Sequence, residues 1–263
     1  MEIKLSERMK KIAELASGDG VVADIGTDHG YIPLWLISNG FCSEVILTDI
    51  NQGPLDKAAA NMQKYLPGRS LDMRLGSGLE VLKRGEADTV IIAGMGGDLI
   101  ISLLERDEMM TLSIKKFILQ PRRHADKLRK WIEANPSLEI TGEYLAKEDR
   151  RLSEIILVEN KDFISTEKMQ QVISERNAAD MLLSDIEESY PGIKYEISQL
   201  YFVNETEELD YFLRTKIFFE NEIIDSIEKN GKNAASTQRK DECIRRISTF
   251  ENMRKVRKNG KDK

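Results

Sequence analysis

A run of small residues between two carboxylates is the first pattern in the chain that could bind a ligand or support catalysis. The segment Asp24-Ile25-Gly26-Thr27-Asp28-His29-Gly30 directly follows an apolar β-branched run, and Asp49 closes the next such run, 23 positions after Gly26. Small residues let the backbone turn sharply where a strand ends, and open α/β sheets bind ligands at that edge. We therefore predict a ligand loop that includes Gly26, Thr27 and Gly30.

The acid at the start of this loop selects among nucleotide ligands. A dinucleotide fingerprint needs glycine where Asp24 stands, and a carboxylate there repels a pyrophosphate. The same carboxylate suits a cationic group, such as the amino group of S-adenosylmethionine. Asp49, with Ile50 beside it, has the position of an acid that accepts hydrogen bonds from ribose hydroxyls. The alternative is that both acids only cap helices.

Two further small-residue turns follow later strands. Ser77, Gly78 and Leu79 lie where the adenine of a nucleoside cofactor is expected, and Gly78 would leave room for a flat ring. Ala93, Gly94, Met95 and Gly96 begin a second turn, whose glycines indicate close approach of a ligand or of another chain segment. Met95 either touches the ligand or serves as ordinary packing.

A basic cluster follows the apolar run at residues 116–120. Six basic or potentially basic side chains fall within the nine positions 122–130, and the last 25 residues carry ten basic and four acidic side chains. Such clusters suit a phosphate backbone, although a solvated helix face has the same composition. The residues predicted to contact RNA are Gln120, Arg122, Arg123, Lys127, Arg129 and Lys130.

His29 and His124 are the only histidines, and His29 is either catalytic or a donor that stabilises its loop.

These residues require a parallel sheet to bring them together. The runs 21–25, 44–48, 89–93 and 116–120 read as strands buried on both faces, separated by helical segments. Runs 138–143 and 154–159 lie close in sequence and predict a hairpin at one sheet edge. The fold class is therefore α/β, a doubly wound sheet with an antiparallel edge.

The chain changes character near residue 160. Residues 161–263 are rich in charge, with apolar positions at helical spacing from Met169 to Ile186, from Leu209 to Ile227 and from Ile244 to Val256. Pro191-Gly192 and Gly231 interrupt this pattern, which favours an antiparallel helical hairpin or a small bundle. We predict two domains, 1–160 and 161–263.

Composition excludes several classes of protein. The 263 residues carry 39 Lys plus Arg against 45 Asp plus Glu, a net charge of −6, which excludes a uniformly basic nucleic-acid binder. Cys42 and Cys243 form neither a disulfide framework nor a zinc site, and no metal is expected. No apolar stretch reaches the length of a membrane span, so no membrane association is expected and a cytoplasmic location is predicted.

With these pieces assembled, the first 160 residues resemble the TrmK family of bacterial tRNA (adenine-N1)-methyltransferases, which modify adenine-22. The matching segments are Ala23 to Pro33, Gly76 to Val81, Ala93 to Gly97, Leu119-Gln120-Pro121 and Leu128 to Ile132. The resemblance implies a class I, Rossmann-like domain that uses S-adenosylmethionine, followed by an all-α, coiled-coil-like C-terminal domain that binds tRNA. We also expect no metal, and we expect the chain to act as a monomer.

The sequence departs from the family at one position. The family commonly has an acid in the segment where this chain has Ser77, and a hydroxyl is a weaker acceptor than a carboxylate, so weaker cofactor binding is expected. The chain also lacks an Asn-Pro-Pro-Tyr motif, which favours a ring nitrogen over an exocyclic amine as the methyl acceptor.

The expected reaction is a direct in-line transfer to adenine N1, in which the protein mainly aligns the reactants. Asp28 is the first candidate to accept from N6 or to offset the charge on the base, with His29 and Tyr31 beside it for orientation or stacking. N1 lies on the Watson–Crick edge, so the base must be unpaired or flipped. The alternatives are a dehydrogenase, against which Asp24 argues, a non-catalytic RNA-binding protein of the same fold, and a methyltransferase of another substrate.

Overall fold

The apolar runs of the first 160 residues form one seven-stranded sheet in the computed structural model. In chain order the strands are β1 (Val21–Ile25), β2 (Glu44–Asp49), β3 (Asp72–Leu75), β4 (Thr89–Met95), β5 (Lys116–Pro121), β6 (Leu138–Glu148) and β7 (Arg151–Asn160). They lie in the order β3-β2-β1-β4-β5-β7-β6. The first five are parallel, whereas β7 is antiparallel to both β5 and β6. The predicted parallel sheet with an antiparallel edge hairpin is confirmed.

The central strands are apolar throughout because both of their faces are covered. On β4, Val90 and Ile92 face one core and Ile91 faces the other, and all three are fully buried. This alternation follows from the two-residue period of a strand. It explains why the sequence shows continuous β-branched runs rather than an alternation of apolar and polar residues.

Helices between the strands cover the two faces. They are α1 (Glu7–Ala16), α2 (Tyr31–Ser38), α3 (Gln52–Tyr65), α4 (Gly97–Glu105), α5 (Glu108–Leu112) and α6 (Ala125–Ala134), with a short 3-10 helix at Gly78–Val81. Helix α1 begins at a serine cap, since the Ser6 hydroxyl accepts from the Met9 N–H. Helices α2 and α3 begin just after β1 and β2, so their amino-terminal turns lie beside the two predicted acids.

The C-terminal part is helical, as predicted. It contains α7 (Thr166–Ser189), the short helices α8 (Ile193–Glu196) and α9 (Leu200–Val203), α10 (Glu208–Asn230) and α11 (Ala234–Lys261). Ion pairs join α10 to α11 at Asp210–Arg254, Glu220–Arg246 and Glu228–Lys240. One partner number rises as the other falls, so the two helices run antiparallel and form the predicted hairpin. Gly231, expected to end the first of them, lies outside the described residues.

The structure describes residues 2–18, 20–149, 151–203, 208–230 and 234–261. Contacts divide the chain into two units, Met1–Gln170 and Gln171–Lys263. None of the described helices is both long enough and apolar enough to cross a membrane.

Candidate active site

The loop after β1 lies at the carboxyl edge of the parallel strands, where the sequence predicts a ligand. Gly26 and Gly30 have φ angles of 76° and 67°, a left-handed conformation that glycine adopts without steric cost. The N–H groups of Gly26 and Thr27 both donate to the Thr48 carbonyl at 2.9 Å. The loop is thereby tied to the end of β2, next to Asp49.

Asp24 is buried, and no cationic side chain pairs with it among the described residues. Its side chain lies in β1, and the residue is 8% exposed. Burial raises its pKa to about 6, the Thr27 hydroxyl opposes that rise, and the charge of Asp49 adds to it. The capping alternative does not hold for Asp24, because the cap of α2 is Gly30. A buried carboxylate of this kind is a strong attractor for a cationic group.

The edge also holds two buried threonine hydroxyls that remain available to a ligand. Thr27 and Thr48 are 2% and 0% exposed, and neither hydroxyl has a hydrogen-bond partner of normal geometry among the described residues. One carboxylate oxygen of Asp49 accepts from the Asn51 N–H at 2.8 Å, and Ile50 beside it is 67% exposed. Buried polar groups, a carboxylate and an exposed apolar side chain fit a nucleoside with a cationic tail.

Met95 contacts this loop from the neighbouring strand. A Cβ atom on Gly26 would lie 2.4 Å from the Met95 Cε, so the methionine packs against the glycine, and a side chain there would require the flexible end of Met95 to move. The half-buried Met95 therefore lies directly beside the predicted cofactor loop. Ala93 follows Ile92, which pairs with Ile25 just before that loop.

Leu103 packs against the turn after β3. Gly78 has a φ angle of 57°, and a Cβ there would lie 2.5 Å from the Leu103 side chain, so Leu103 occupies the side of this glycine where a side chain would stand. Leu79 is buried. The Ser77 hydroxyl accepts from Arg106 at 3.0 Å, and Arg106 also pairs with Glu80. Sequence reasoning missed Arg106 and Glu80, which meet only in the folded chain.

The glycines after β4 accommodate another segment of the same chain. A Cβ on Gly94 or Gly96 would lie 3.6 Å from the Arg122 guanidinium or 3.3 Å from the Arg123 Nε, respectively. A Cβ on Gly97 would lie 2.3 Å from the His124 carbonyl oxygen. The close approach that the glycines indicated is therefore made by the segment after β5, which places two arginines over the carboxyl edge of the sheet.

Asp28, His29 and Tyr31 are brought together, as predicted. His29 Nε2 lies 3.4 Å from one Asp28 oxygen, and Lys57 Nζ lies 3.3 Å from the other. The His29 and Tyr31 rings stack with centroids 5.6 Å apart, and Tyr65 contacts Tyr31 edge-on at 6.5 Å. Lys57 and Tyr65 on α3 were missed, because helical spacing alone does not tell which residue of a helix reaches a distant loop.

The basic cluster divides into exposed and buried members. Arg122, Arg123, Lys127 and Lys130 are exposed, and no ion pair is found for either arginine in the part of the chain that the structure describes. Lys127 pairs with Asp98 at 2.7 Å, and the other Asp98 oxygen contacts the ring of His124.

Two members of the predicted RNA-binding set are corrected. Arg129 is 3% exposed, and its guanidinium pairs with Glu143 at 2.7 Å and with Glu154 at 2.5 Å, so it does not face RNA. Gln120 is also buried: its Oε1 accepts from the Gly94 N–H at 3.1 Å and from Arg8 at 3.3 Å. Gln120 therefore fixes the turn after β4, and Arg8, which the sequence did not single out, supports it.

The basic C-terminal tail is largely neutralised within its own unit. Arg239 pairs with Glu242, and Lys240, Arg246 and Arg254 pair with acids of α8 and α10. Side chains from residue 257 onward lie outside the described residues. Cys42 and Cys243 are both buried free thiols, and no metal-binding group of three or more His, Cys, Asp or Glu side chains occurs among the described positions.

Comparison with known proteins agrees with this geometry. A family model described as a methyltransferase domain matches residues 5–156. The curated tRNA (adenine(22)-N(1))-methyltransferase of Bacillus subtilis is 37% identical over 161 residues, covering 61% of this chain and 67% of that protein.

Solved structures match over nearly the whole chain. The B. subtilis m1A22 tRNA methyltransferase TrmK is 27% identical with a TM-score of 0.71, covering 95% of this chain and 99% of that one. The TrmK of M. capricolum, solved with S-adenosylhomocysteine, is 23% identical with a TM-score of 0.65, covering 94% and 98%. The latter shows the likeness of fold alone.

The sheet order and the acid-bearing loop define a class I, Rossmann-like methyltransferase domain followed by a helical region. The chain belongs to the methyltransferase-domain family and, within it, to the TrmK family of tRNA (adenine(22)-N(1))-methyltransferases.

Proposed function

We propose that this protein transfers a methyl group from S-adenosylmethionine to N1 of adenine-22 in tRNA. The observation that carries the proposal is the loop after β1, which holds the buried Asp24 at one end and presents the exposed Asp28 at the other. One loop thus offers an anion for a cationic cofactor and an anion for a base that becomes cationic. The 37% identity to the B. subtilis enzyme supports the same substrate.

The residues of the sheet edge fit S-adenosylmethionine. Asp24 suits the amino group of the methionine part, and Asp49 suits the ribose hydroxyls. Thr27, Gly26, Gly30 and Met95 form the loop and the packing around them. Ile50, Ser77, Gly78 and Leu79 surround the region proposed for adenine, with Ala93, Gly94 and Gly96 at the end of β4. When bound, S-adenosylmethionine supplies an activated methyl group, so no covalent enzyme intermediate is required.

The catalytic work of the protein is alignment and charge stabilisation. Asp28 accepts a hydrogen bond from the adenine amino group and stabilises the positive charge that develops on the ring. His29 and Tyr31, already stacked, form an aromatic surface against which the extruded base stacks. Arg122 and Arg123 lie over the glycine turn and contact phosphates near the extruded nucleotide, with Lys127 and Lys130 further along α6.

We also propose that the protein acts as a monomer in the cytoplasm. Two buried free thiols without a disulfide suit a reducing compartment, where tRNA is also found. The helical domain, predicted as residues 161–263, would hold the tRNA body.

Single-turnover methylation at saturating tRNA and cofactor tests the role of Asp28. Asp28→Asn is expected to lower the rate about 100-fold, since it keeps the shape but removes the charge. Asp56→Asn is the matched control, because Asp56 is an exposed α3 carboxylate bound to Gln52 rather than to the loop. It should stay within about twofold of the wild type. An unchanged rate for Asp28→Asn removes Asp28 from the chemistry.

A further inference from the structure

Lys57 forms an ion pair with Asp28, whose carboxylate the proposed reaction requires. Its ammonium lies 3.3 Å from Asp28 Oδ1, while His29 Nε2 lies 3.4 Å from Oδ2. Both oxygens of Asp28 are therefore already engaged before any base arrives. The side chains of Lys57 and Asp28 are 54% and 70% exposed, so this is an ion pair at the surface of the site.

The position of Lys57 on α3 keeps its ammonium near Asp28. The flanking residues Leu55 and Ala58 are buried in the core, at 3% and 0% exposure, so the helix is fixed against the sheet. Displacing the ammonium therefore needs only a rotation of the lysine side chain. An exposed pair of this kind is weak, and another cation can displace it at small cost.

The proposed reaction creates such a cation. Methylation at N1 adds an alkyl group to a neutral ring without removing a proton, so the base leaves the transfer step with a positive charge. The Asp28 carboxylate that stabilises this charge during transfer also slows release of the product, because it attracts the positively charged, methylated base in the same way. An enzyme with Asp28 in this role needs a means to release the methylated base.

We propose that Lys57 is a positioning residue that competes with the methylated base for Asp28 and so promotes product release. The inference rests on the proposed function. An incoming base displaces the ammonium from Oδ1, and the return of the ammonium after transfer displaces the cationic product. The displaced ammonium stays close to Asp28, where it repels the positively charged, methylated base but not the neutral substrate, so its effect falls mainly on the product.

A phosphate contact is the alternative role for Lys57, and it makes the opposite prediction. Loss of a phosphate contact weakens binding of unmethylated and methylated tRNA alike. Loss of a competitor strengthens binding of the methylated form relative to the unmethylated form. The ratio of the two dissociation constants therefore separates the two roles.

The test compares binding of the two forms of a tRNA that differ only by 1-methyladenosine at position 22. For Lys57→Gln the affinity for methylated tRNA is expected to rise about two- to fivefold relative to that for unmethylated tRNA. Lys57→Arg keeps the cation and should keep the wild-type ratio. In an Asp28→Asn background, Lys57→Gln should leave the ratio unchanged, because the two residues act through one contact.

Lys64→Gln is the matched control. Lys64 lies seven positions further along α3 and its ammonium stands 4.9 Å from the centre of the Tyr65 ring, not at Asp28. Its loss removes the same charge and should change both affinities equally. A ratio for Lys57→Gln equal to that of Lys64→Gln overturns the inference. A wild-type protein that forms no 1-methyladenosine overturns the proposed function, and this inference with it, whereas active wild type with an unchanged Lys57→Gln ratio overturns this inference alone.

Discussion

Asp24 shows how one buried residue links stability to ligand binding. Its pKa rises to about 6 chiefly because burial disfavours the ionised form. Relative to the unfolded chain, its proton stabilises the fold fully below about pH 4, and this contribution is lost as the pH rises through about 6. At neutral pH the fold therefore holds an ionised carboxylate at a cost, which a bound cation offsets.

The affinity for S-adenosylmethionine is expected to depend on this ionisation. The cationic amino group favours the ionised Asp24, so the dissociation constant should increase as the pH falls through 6, by about tenfold at pH 5. Asp24→Asn should bind weakly at every pH and, without the buried charge, should melt at a higher temperature than wild type at pH 8. Calorimetry from pH 5 to 8 measures both effects. A wild-type affinity that is constant over this range contradicts the role of Asp24.

The sequence predicts best those site residues whose placement is local. The β1 loop, Asp24 and Asp49 follow from small residues and acids at strand ends, and the structure places them at one edge. Lys57 and Arg8 could not be predicted, because each reaches the site through the tertiary position of its helix. Arg129 is different, because it lies on the buried face of α6 with Ala125, Leu128 and Ile132. The helical spacing of these apolar residues could therefore have predicted that Arg129 is buried.

At the scale of elements, α6 is joined to the edge hairpin by a buried ionic cluster. Arg129 contributes from the helix, Glu143 from β6 and Glu154 from β7, and the Arg129 and Glu143 side chains are 3% and 4% exposed. The cluster satisfies charges that could not remain buried alone. It holds the helix that follows Arg122 and Arg123 in a fixed position on the sheet.

Breaking this cluster should affect stability rather than RNA contact. Arg129→Met removes the cation that pairs with both carboxylates, and we expect the free energy of unfolding to fall by about 3 kcal/mol. Lys127→Met removes an exposed partner of Asp98 and should change it by less than about 1 kcal/mol. Urea titration gives both values. If Arg129→Met has normal stability but binds tRNA more weakly, Arg129 contacts RNA after all and this correction is wrong.

Elements with a strong pattern were predicted, and weak ones were not. The four buried strands, the hairpin and the three long C-terminal helices all lie where periodicity places them. The short helices α8 and α9 each contain four residues, too few to show a helical period. Strands β6 and β7 also extend beyond their predicted ends. Their pairing with each other keeps polar residues in strand conformation, and a search for apolar runs does not include those residues.

At the scale of the whole molecule, an acidic protein is proposed to bind a polyanion. The net charge is −6, so attraction must come from a local surface rather than from the total charge. Most described cations of the C-terminal tail are paired within the helical unit, which leaves Arg122 and Arg123 as the better candidates. The domain division at residue 160 and the tRNA-holding role of the helical domain stay predictions.

The salt dependence of tRNA binding tests this surface. Each phosphate contact contributes about one unit to the slope of log affinity against log salt, so the double variant Arg122→Ala, Arg123→Ala should lower the slope by about two. Lys83→Ala, in the turn that leads into β4, removes an exposed charge away from the carboxyl edge and should keep the wild-type slope. An unchanged slope in the double variant would falsify the assignment of these arginines to phosphate contact.

The central claim is methylation of one atom of one nucleotide. The direct measurement incubates the purified protein with S-adenosylmethionine and unmodified tRNA, then identifies the modified nucleoside by mass spectrometry and maps its position. We predict 1-methyladenosine at position 22, and none in a transcript that carries guanine there. Cofactor binding without any tRNA methylation, or methylation that persists in the guanine transcript, would contradict the account.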